Sequence, residues 1–298
     1  MSTLRSIVAA TDLSAPSRHA AERAALLARE HGATLTLLHT LSASALDDLR
    51  RWLDGTDAAG AALQDDARGR LHAQAAELGQ RFGLAVAEVL ALGEAVEEVQ
   101  RHAGRIDADL VVTGTRGAGF FRGVVVGSTA ERMARRSSRP VLMVRQAPLR
   151  AYRRVLVPVD FSPWSATAVA LASRLAPDAE LLLMHAVELP FEGRLRTAGV
   201  AEHVVNLYRE RARREAREQL EALAQAAKLP PHRVGFATPE GADAWMLVVQ
   251  HEQEHDCDLV AVGRQGRHAL GELLLGSTTR MVMAEGSADV LLASAPAQ

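Results

Sequence analysis

The sequence has few aromatic residues, one cysteine and one lysine. Aromatic side chains make up 4% of its 298 residues, so alanine, valine and leucine must build the core. Cys257 alone excludes an intrachain disulfide and a zinc site made of several thiolates, and it suits a reducing cytoplasm. Because Lys228 is the only lysine, a reactive amine or a phosphate-binding lysine elsewhere in the chain is excluded.

An excess of either charge and a long apolar run are also missing. The 34 lysines and arginines against 36 acidic residues give a net charge of −2, which leaves no basic surplus for nucleic acid or an anionic membrane. About 18 consecutive apolar residues would be needed to span a bilayer, and no such run occurs. The first apolar stretch, 7–10, is followed by Asp12, too early for a secretory signal. We therefore expect a cytoplasmic protein without a nucleic-acid or membrane partner.

The second half of the sequence repeats the first. The segments Gly114-Thr-Arg-Gly117 and Gly127-Ser128 recur 149 residues later as Gly263-Arg-Gln-Gly266 and Gly276-Ser277. A constant offset across such a distance predicts two copies of one domain, joined by a short linker that contains a proline. We expect these domains at 1–146 and 151–298.

Within each copy, apolar and β-branched runs alternate with helical patterns. Strands are expected at 5–11, 34–40, 85–90, 109–113 and 140–145, and again at 154–159, 180–187, 234–238, 259–262 and 290–293. Helices are expected over 15–28, 60–82, 95–106 and from 128, and then from 163, over 200–227, over 242–255 and from 277, with Ser14 and Ser162 as N-caps. Strands that are hydrophobic throughout predict an α/β fold of two tandem doubly wound domains, each with a five-stranded parallel sheet and helices on both faces.

Glycines and hydroxyls cluster where such a sheet binds ligands, at the carboxyl ends of its strands. Gly114 and Gly117 would let the backbone approach a ligand and adopt a positive φ. The run 127–129 would offer amides and the positive end of a helix dipole to an anion. Asp12, at the tip of the first strand, would accept hydrogen bonds from ribose hydroxyls. The second copy repeats each feature, and neither copy has the Walker pattern G-x-x-x-x-G-K-[ST].

Two plainer interpretations stay open at this point. The glycine segments would also suit tight strand-to-helix turns in a protein that binds no nucleotide. Asp12 and Asp160 would also suit caps for the helices that follow them, and one carboxylate could perform both tasks.

The glycine segments resemble the ATP-binding signature of the universal stress protein family, Gly-x2-Gly-x9-Gly-[Ser/Thr]. Nine residues, 118–126 and 267–275, separate the second and third glycines in the two halves. The resemblance covers nearly the whole chain and implies an open parallel sheet in the order 3-2-1-4-5 in each half. It also implies an adenine nucleotide as ligand, namely ATP, AMP or ADP, with Mg²⁺ brought by the phosphates.

The resemblance further implies which residues hold the nucleotide. Adenine would lie near Thr40 or Ala186. Ribose and the α-phosphate would contact Asp12, Gly114 and Gly117, and the outer phosphates would contact Gly127, Ser128 and Thr129. The matching positions of the second half are Asp160, Gly263, Gly266, Gly276, Ser277 and Thr278. The remaining candidates flank these positions at the strand ends, namely Ala10, Thr11, Thr113, Pro158, Val159 and Val262. Two positions depart from the family pattern: Ala10 replaces the proline seen at Pro158, and Asp289 stands where the first copy has Pro140.

A stress-linked sensor or adaptor with an unidentified protein partner is the function that the resemblance implies. No dedicated nucleophile, general base or resident metal site is evident in the sequence. The alternatives are a slow ATP hydrolase or nucleotidyl-transfer enzyme at the same site, and a nucleotide-free interaction scaffold. Relatives commonly pair through their last strands, so the segments 139–145 and 288–293 would form a pseudo-dimer within the chain, and a homodimer is a further possibility.

Four histidines invite a catalytic interpretation that we do not adopt. His251-Glu-Gln-Glu-His255 matches the H-E-x-x-H pattern of zinc proteases, but its helix ends at once and no third ligand is in view, so we expect an exposed helix there. His39 and His185 end the second strands and are expected to be packed, hydrogen-bonded residues rather than general bases.

Overall fold

The computed structural model describes residues 3–52, 57–115, 126–266 and 275–293. The chain forms two compact units, one from Met1–Ala151 and one from Tyr152–Gln298. Within the described ranges, no helix combines the length and the apolar character needed to cross a bilayer.

The first unit alternates strands and helices. Its strands are β1 (Ser6–Thr11), β2 (Thr34–Leu41), β3 (Val86–Leu92), β4 (Leu110–Gly114) and β5 (Val141–Val144). Its helices are α1 (Ala15–His31), α2 (Ala43–Trp52), α3 (Asp57–Phe82), α4 (Ala95–Arg105) and α5 (Ser128–Arg136). Neighbouring strands are parallel in the order β3-β2-β1-β4-β5. The chain therefore winds outward from β1 in both directions, as predicted.

The second unit repeats this arrangement. Its strands are β6 (Arg154–Pro158), β7 (Glu180–Met184), β8 (Val234–Ala237), β9 (Leu259–Gly263) and β10 (Asp289–Ala293). Its helices are α6 (Pro163–Leu175), α7 (Glu192–Thr197), α8 (Glu202–Ala226), α9 (Ala244–Glu254) and α10 (Ser277–Glu285), with a 3-10 turn at Pro231–Arg233. The parallel order is β8-β7-β6-β9-β10. The predicted fold class and the order 3-2-1-4-5 are thus confirmed in both halves.

Each core forms where an apolar strand meets a helix rich in small residues. In β1, Ile7, Val8 and Ala9 are fully buried, so both faces of the strand are covered. Helix α1 packs on β1 and β4 through alanines such as Ala20 and Ala24, which are also fully buried. Small side chains let the helix approach the sheet closely, which explains a core built with so few aromatic residues.

The first helix of each unit begins after the predicted N-cap serine, but only one of the two serines caps with its side chain. Ser14 is the N-cap of α1, and its Oγ accepts a hydrogen bond from the Ser17 amide at 3.5 Å. Ser162 occupies the N-cap position of α6, but its side chain caps no helix amide. Its hydroxyl donates to Oδ1 of Asp160 at 2.6 Å, as the Ser14 hydroxyl does to Oδ1 of Asp12. The side-chain cap predicted at Ser162 was therefore wrong.

Two helices and one strand end also differ from the expectation. Helices α2 and α7, which follow the second strand of each unit, were not predicted. Helix α7 has six residues and no side-chain cap, whereas α2 has ten residues and follows Ser42, whose Oγ accepts from the Ala45 amide at 3.3 Å. Strand β7 ends at Met184 rather than at residue 187, and Val187 forms only an isolated bridge with Glu240. The backbone after Met184 leaves the sheet and runs to α7.

Asp289 and Lys228 lie at the ends of two elements of the second unit. Asp289, which departs from the family pattern, begins β10 and is buried, and its Oδ2 accepts a hydrogen bond from the Tyr152 hydroxyl at 2.6 Å. Lys228 is exposed just beyond α8, with a left-handed φ of 54° and its amide bonded to the Gln225 carbonyl at 2.9 Å. The first contact gives Asp289 a role that proline could not fill.

Candidate functional site

The site of the second unit lies where the winding of the sheet reverses. Strand β6 has β7 on one side and β9 on the other, and the chain leaves the carboxyl ends of β6 and β9 on loops that lead to α6 and α10. Asp160 follows β6, and Gly263 ends β9. Such a reversal opens a crevice between the loops, which is where doubly wound sheets bind ligands.

A cavity of about 860 Å³ occupies this crevice. All ten residues predicted for the second-half site line it: Pro158, Val159, Asp160, Ala186, Val262, Gly263, Gly266, Gly276, Ser277 and Thr278. Helices α8 and α9 complete the wall, with Ala216 and Gln219 from one and Ala244 and Val248 from the other. The structure therefore brings together residues that are as much as 120 positions apart in the sequence.

The Asp160 carboxylate is fixed by the turn that starts α6. Its Oδ1 accepts from the Ser162 amide at 3.0 Å and from the hydroxyls of Ser162 and Ser165 at 2.6 Å each. Its Oδ2 faces Gly266 so closely that a Cβ atom on this glycine would come within 3.0 Å. Asp160 thus caps the helix start with one oxygen while its other oxygen borders the cavity, so both tasks left open by the sequence are compatible.

A strained residue follows the aspartate in each unit. Phe161 has a φ of 60° and Leu13 has a φ of 62°, a left-handed conformation that is uncommon outside glycine. This conformation folds the chain back so that the aspartate reaches the amide two residues on. Sequence reasoning missed the feature, because neither residue type signals a positive φ. Strain of this kind persists at sites where the surrounding structure enforces it.

Different neighbours explain why glycine stands at positions 263, 266 and 276 of the second loop. A Cβ on Gly263 would lie 2.7 Å from Cβ of Trp164, so this glycine allows α6 to approach β9. Gly276 lies beside Gly266, since its Cβ would be 3.5 Å from the Gly266 amide nitrogen. The expectation of a positive φ is wrong at Gly263 and Gly266, where close packing with Trp164 and Asp160 accounts for the residue type.

The start of α10 presents amides at the edge of the cavity. Gly276 is its N-cap and makes no side-chain cap, so the N–H groups of the first turn have no acceptor within the helix. Ser277 is exposed and Thr278 is half-buried, and both line the cavity. Two bonds tie this helix start to β9: the Gly276 amide donates to the Arg264 carbonyl at 3.0 Å, and the Thr279 hydroxyl donates to the Gly263 carbonyl at 2.8 Å.

Thr279 and Arg264 are site neighbours that the sequence analysis missed. Thr279 is buried and replaces Ala130 of the first copy, so the difference between the copies was the available signal. Arg264 is also buried, and this burial lowers the pKa of its guanidinium from the usual value. Its carbonyl anchors α10, whereas the first copy uses the carbonyl of Thr115.

His185 and His39 are packed residues, as predicted. Nδ1 of His185 lies 2.7 Å from the Val159 carbonyl oxygen, and its ring packs against Phe161 with centroids 4.5 Å apart. Nδ1 of His39 makes the same contact with the Thr11 carbonyl at 2.8 Å. Both imidazoles therefore tie the end of the second strand to the end of the first strand.

The described part of the first unit has matching local geometry. Oδ1 of Asp12 accepts from the amide of Ser14 at 3.1 Å and from its hydroxyl at 2.5 Å. The Gly127 amide donates to the Thr115 carbonyl at 2.8 Å, as Gly276 does to Arg264. Both loops thus start and end in the same way.

The remaining first-half candidates lie at the strand ends and at the start of α5. Thr11 and Thr113 are buried, whereas Ala10, Thr40 and Thr129 are half-buried. The Thr11 hydroxyl bonds Gln74 and Ser17, and the Thr113 hydroxyl bonds the Gly114 carbonyl. Gly127 is the N-cap of α5, and Ser128 is exposed at its first position. Gly117 lies outside the described residues.

The histidine-rich end of α9 does not reproduce a zinc protease. Glu252, the residue that would act as general base in the H-E-x-x-H pattern, is 1% exposed. Its Oε1 accepts from the Ser287 amide and hydroxyl and from the Ala288 amide, at 2.6 to 2.7 Å. The carboxylate is therefore turned into the core, where it fixes the segment that enters β10.

Fold and site together define a tandem protein of two Rossmann-like α/β domains, each with a glycine loop and a helix N-terminus at the reversal point of its sheet. The model of the universal stress protein family matches residues 3–145 and 151–294, so the chain belongs to this family. It is a tandem member of a family of stress-response proteins.

Individual relatives resemble the chain in fold more than in sequence. A universal stress protein from Archaeoglobus fulgidus DSM 4304 is 19% identical with a TM-score of 0.69, and the match covers 97% of this chain and 98% of that one. The functionally unknown protein PA1789 from Pseudomonas aeruginosa PAO1 is 18% identical with a TM-score of 0.62, over 97% and 92%. The stress response protein NhaX of Bacillus subtilis is 38% identical over 53 residues, which span 18% of this chain and 32% of that protein.

Proposed function

We propose that this protein binds an adenine nucleotide, ATP in particular, at the carboxyl ends of β6 and β9, and that it acts as a nucleotide-dependent sensor or adaptor in the stress response. The repeat extends the proposal to the first unit. The observation that carries it is the single cavity lined by all ten residues predicted for the second-half site. We place the protein in the cytoplasm and expect a protein partner that reads the bound state.

The cavity offers distinct surroundings for the parts of a nucleotide. Oδ2 of Asp160 borders the cavity, where it would accept hydrogen bonds from ribose hydroxyls. Apolar side chains such as Val187, Ala216 and Val248 line a wall suited to a purine ring. A volume of about 860 Å³ is ample for a ligand of this size.

The phosphates would lie at the start of α10. Helix N-termini bind anions because their first amides are unpaired and the helix dipole is positive there. Ser277 and Thr278 supply such amides together with two hydroxyls, while the Gly276 amide is already bonded to the Arg264 carbonyl. A triphosphate held in this way needs no lysine, in keeping with the absence of one from the site, and it would bring Mg²⁺ as its counter-ion.

ATP titration of two matched glycine variants tests the proposal. Gly266→Glu places a side chain and a negative charge against Oδ2 of Asp160, so we expect calorimetric binding in the second half to be lost. Gly193→Glu is the control, since nothing lies within 4 Å of a Cβ at that exposed position outside the cavity. Gly117→Glu is the counterpart in the first half. Equal affinity and stoichiometry in wild type, Gly266→Glu and Gly193→Glu would refute the proposed site.

Two further measurements define the chemistry. Mass spectrometry of the small molecules released from denatured protein identifies the nucleotide that the purified chain carries. Incubation with ATP and Mg²⁺ followed by phosphate detection distinguishes a sensor, which leaves ATP intact, from a slow hydrolase that uses the same site.

A further inference from the structure

The carboxyl end of α9 brings together two imidazoles and one carboxylate. These belong to His251, Glu254 and His255, which are three and four residues apart and therefore lie on one side of the helix. One ligand atom of each lies within 4.8 Å of the others, a separation that small side-chain rotations reduce to the spacing around a common ion. His251 is half-buried and the other two residues are exposed, so the cluster is open to solvent on one side.

Neighbouring groups orient these three side chains. Nδ1 of His251 lies 3.0 Å from the Leu247 carbonyl oxygen, and because a carbonyl only accepts, this nitrogen carries the proton and Nε2 keeps its lone pair. A backbone contact of this kind is the usual support of a metal-binding histidine. Oε1 of Glu254 accepts from the Gln250 side chain at 2.7 Å.

The backbone at His255 is also held in place. Its amide donates to the His251 carbonyl at 3.1 Å, which continues the helical hydrogen-bond pattern to the residue after α9. Its carbonyl accepts from the Arg154 guanidinium, whose Nε is paired with Glu180. The backbone position of His255 is thus fixed, and the two imidazole rings lie with their centroids 5.7 Å apart.

The first copy lacks this arrangement at the equivalent positions. There His102 is buried, and Arg105 and Ile106 stand in place of Glu254 and His255. Arg105 lies 2.9 Å from Nδ1 of His102, and burial together with this positive charge lowers the pKa of His102. Between the copies, a cation has been exchanged for a carboxylate and an aliphatic side chain for an imidazole.

From this geometry we propose that His251, Glu254 and His255 form a binding site for a divalent transition-metal ion, Zn²⁺ foremost. Two imidazole nitrogens and one carboxylate are the donors that borderline ions prefer, whereas Mg²⁺ and Ca²⁺ prefer oxygen alone. Three protein ligands leave at least one coordination position for water or for a group from outside the chain. Because Glu252 is turned into the core, the site binds metal without a built-in general base.

The site is separate from the nucleotide cavity. Helix α9 lines that cavity near its start, through Ala244 and Val248, whereas the cluster lies at its other end, and none of the three ligands lines the cavity. Metal binding and nucleotide binding can therefore be disrupted independently.

Zinc titration of the metal-free full chain, in competition with a chromophoric chelator, tests the proposal. We expect wild type to bind one equivalent of zinc. His255→Ala and Glu254→Gln should each lower the zinc affinity by roughly tenfold or more, since losing even a group that supports a ligand usually costs that much. His203→Ala, an exposed histidine on α8, is the control and should bind as wild type does. A large excess of Mg²⁺ should not displace the zinc.

Circular dichroism of the apoproteins shows that each variant is folded before titration. His255 is exposed and lies just after the helix, so its truncation should leave the fold intact. Failure of wild type to bind zinc, equal binding by wild type and His255→Ala, or an equal loss in His203→Ala would overturn the assignment. ATP binding should be unchanged in His255→Ala, which keeps this result distinct from that of the Gly266 variant.

Discussion

Asp160, in the second-half site, uses one carboxylate oxygen for structure and turns the other toward the cavity. Oδ1 of Asp160 accepts three hydrogen bonds at the start of α6, while Oδ2 borders the cavity beside Gly266. The two glycines also differ: Gly263 leaves room for Trp164 of α6, whereas Gly266 leaves room for the Asp160 carboxylate beside the cavity. Substitutions can therefore separate the stability of the fold from the proposed binding.

Two substitutions of Asp160 should separate these tasks. Asp160→Asn retains an oxygen acceptor for the three donors and turns its NH₂ group toward the cavity, so stability should stay near that of wild type while ATP binding weakens by about tenfold or more. Asp160→Ala should lose binding and also about 1 kcal/mol of stability. Urea unfolding and calorimetry measure the two effects, with the exposed Asp178→Asn as control. A loss of stability in Asp160→Asn equal to that in Asp160→Ala would contradict this division.

The cysteine should be unreactive in the folded protein. Burial raises the pKa of the Cys257 thiol from 9.0 to about 12, so almost no thiolate forms near neutral pH. We expect an aromatic disulfide reagent to label the chain at pH 8 only after unfolding. Between about pH 9 and 12 the unfolded thiol ionises while the buried one keeps its proton, so this contribution to stability is lost as the pH rises. Rapid labelling of the native chain at pH 8 would show that the thiol is accessible.

At the scale of elements, the loops between strands and helices are held by a few long-range hydrogen bonds. Glu252 on α9 fixes the segment that enters β10 through three donors on Ser287 and Ala288. Thr279 on α10 is tied to the end of β9. Each of these contacts joins a helix to a neighbouring strand or to the segment that leads into one, so it sets the position of the helix against the sheet.

Glu252→Gln should destabilise the second unit. The glutamine amide has only one oxygen to accept from the three donors of Ser287 and Ala288, and its NH₂ group adds a donor to a site that is 1% exposed. We expect this to lower the free energy of unfolding by about 1–3 kcal/mol. We expect a lower midpoint of urea unfolding for this variant. Glu254→Gln on the same helix is exposed and should unfold like wild type when no metal is present. Identical midpoints for all three proteins would show that Glu252 does not anchor β10.

The sequence predicted those elements that have strong periodicity or a repeated motif. Every strand was predicted, because runs such as Ile7 to Ala9 are apolar throughout and recur in the second copy. Helix α7 was missed because a six-residue helix without a side-chain cap depends on tertiary contacts rather than on local preference. Helix α2 was missed although Ser42 stands as a cap signal in front of it. The left-handed turn at Phe161 and the inward orientation of Glu252 arise from long-range packing and hydrogen bonding, which a pattern of residue types does not encode.

At the scale of the whole molecule, the two units keep the same fold and the same hydrogen bonds at both loop ends. Asp12 and Asp160 each cap the following helix start, and Gly127 and Gly276 each donate to a carbonyl at the end of the fourth strand. The aspartate after the first strand and the glycine before the last helix thus occupy equivalent places in the two copies.

We therefore expect two nucleotides for each chain. Equilibrium dialysis with labelled ATP should give a stoichiometry of two for wild type and of one for either Asp12→Ala or Asp160→Ala. The double variant should bind none. A stoichiometry of one in wild type, or an unchanged value in both single variants, would restrict the proposed function to one unit.

Association through the last strands of the two copies stays a prediction from the family resemblance. If the copies pair with each other in the intact chain, each half expressed alone should dimerise or lose stability, since an edge strand would be uncovered. Light scattering and thermal unfolding of the two halves measure this. Monomeric halves as stable as the full chain would refute internal pairing.

The position of Lys228 has a practical consequence. The side-chain amine is the only one in the sequence, and it lies exposed on the left-handed turn that ends α8. Where both amines are deprotonated, an amine-selective reagent would react with the chain terminus and with one internal site, Lys228. Molecules coupled to a sensor surface through this residue would share one orientation, and a lysine-specific protease would cut the unfolded chain into two fragments.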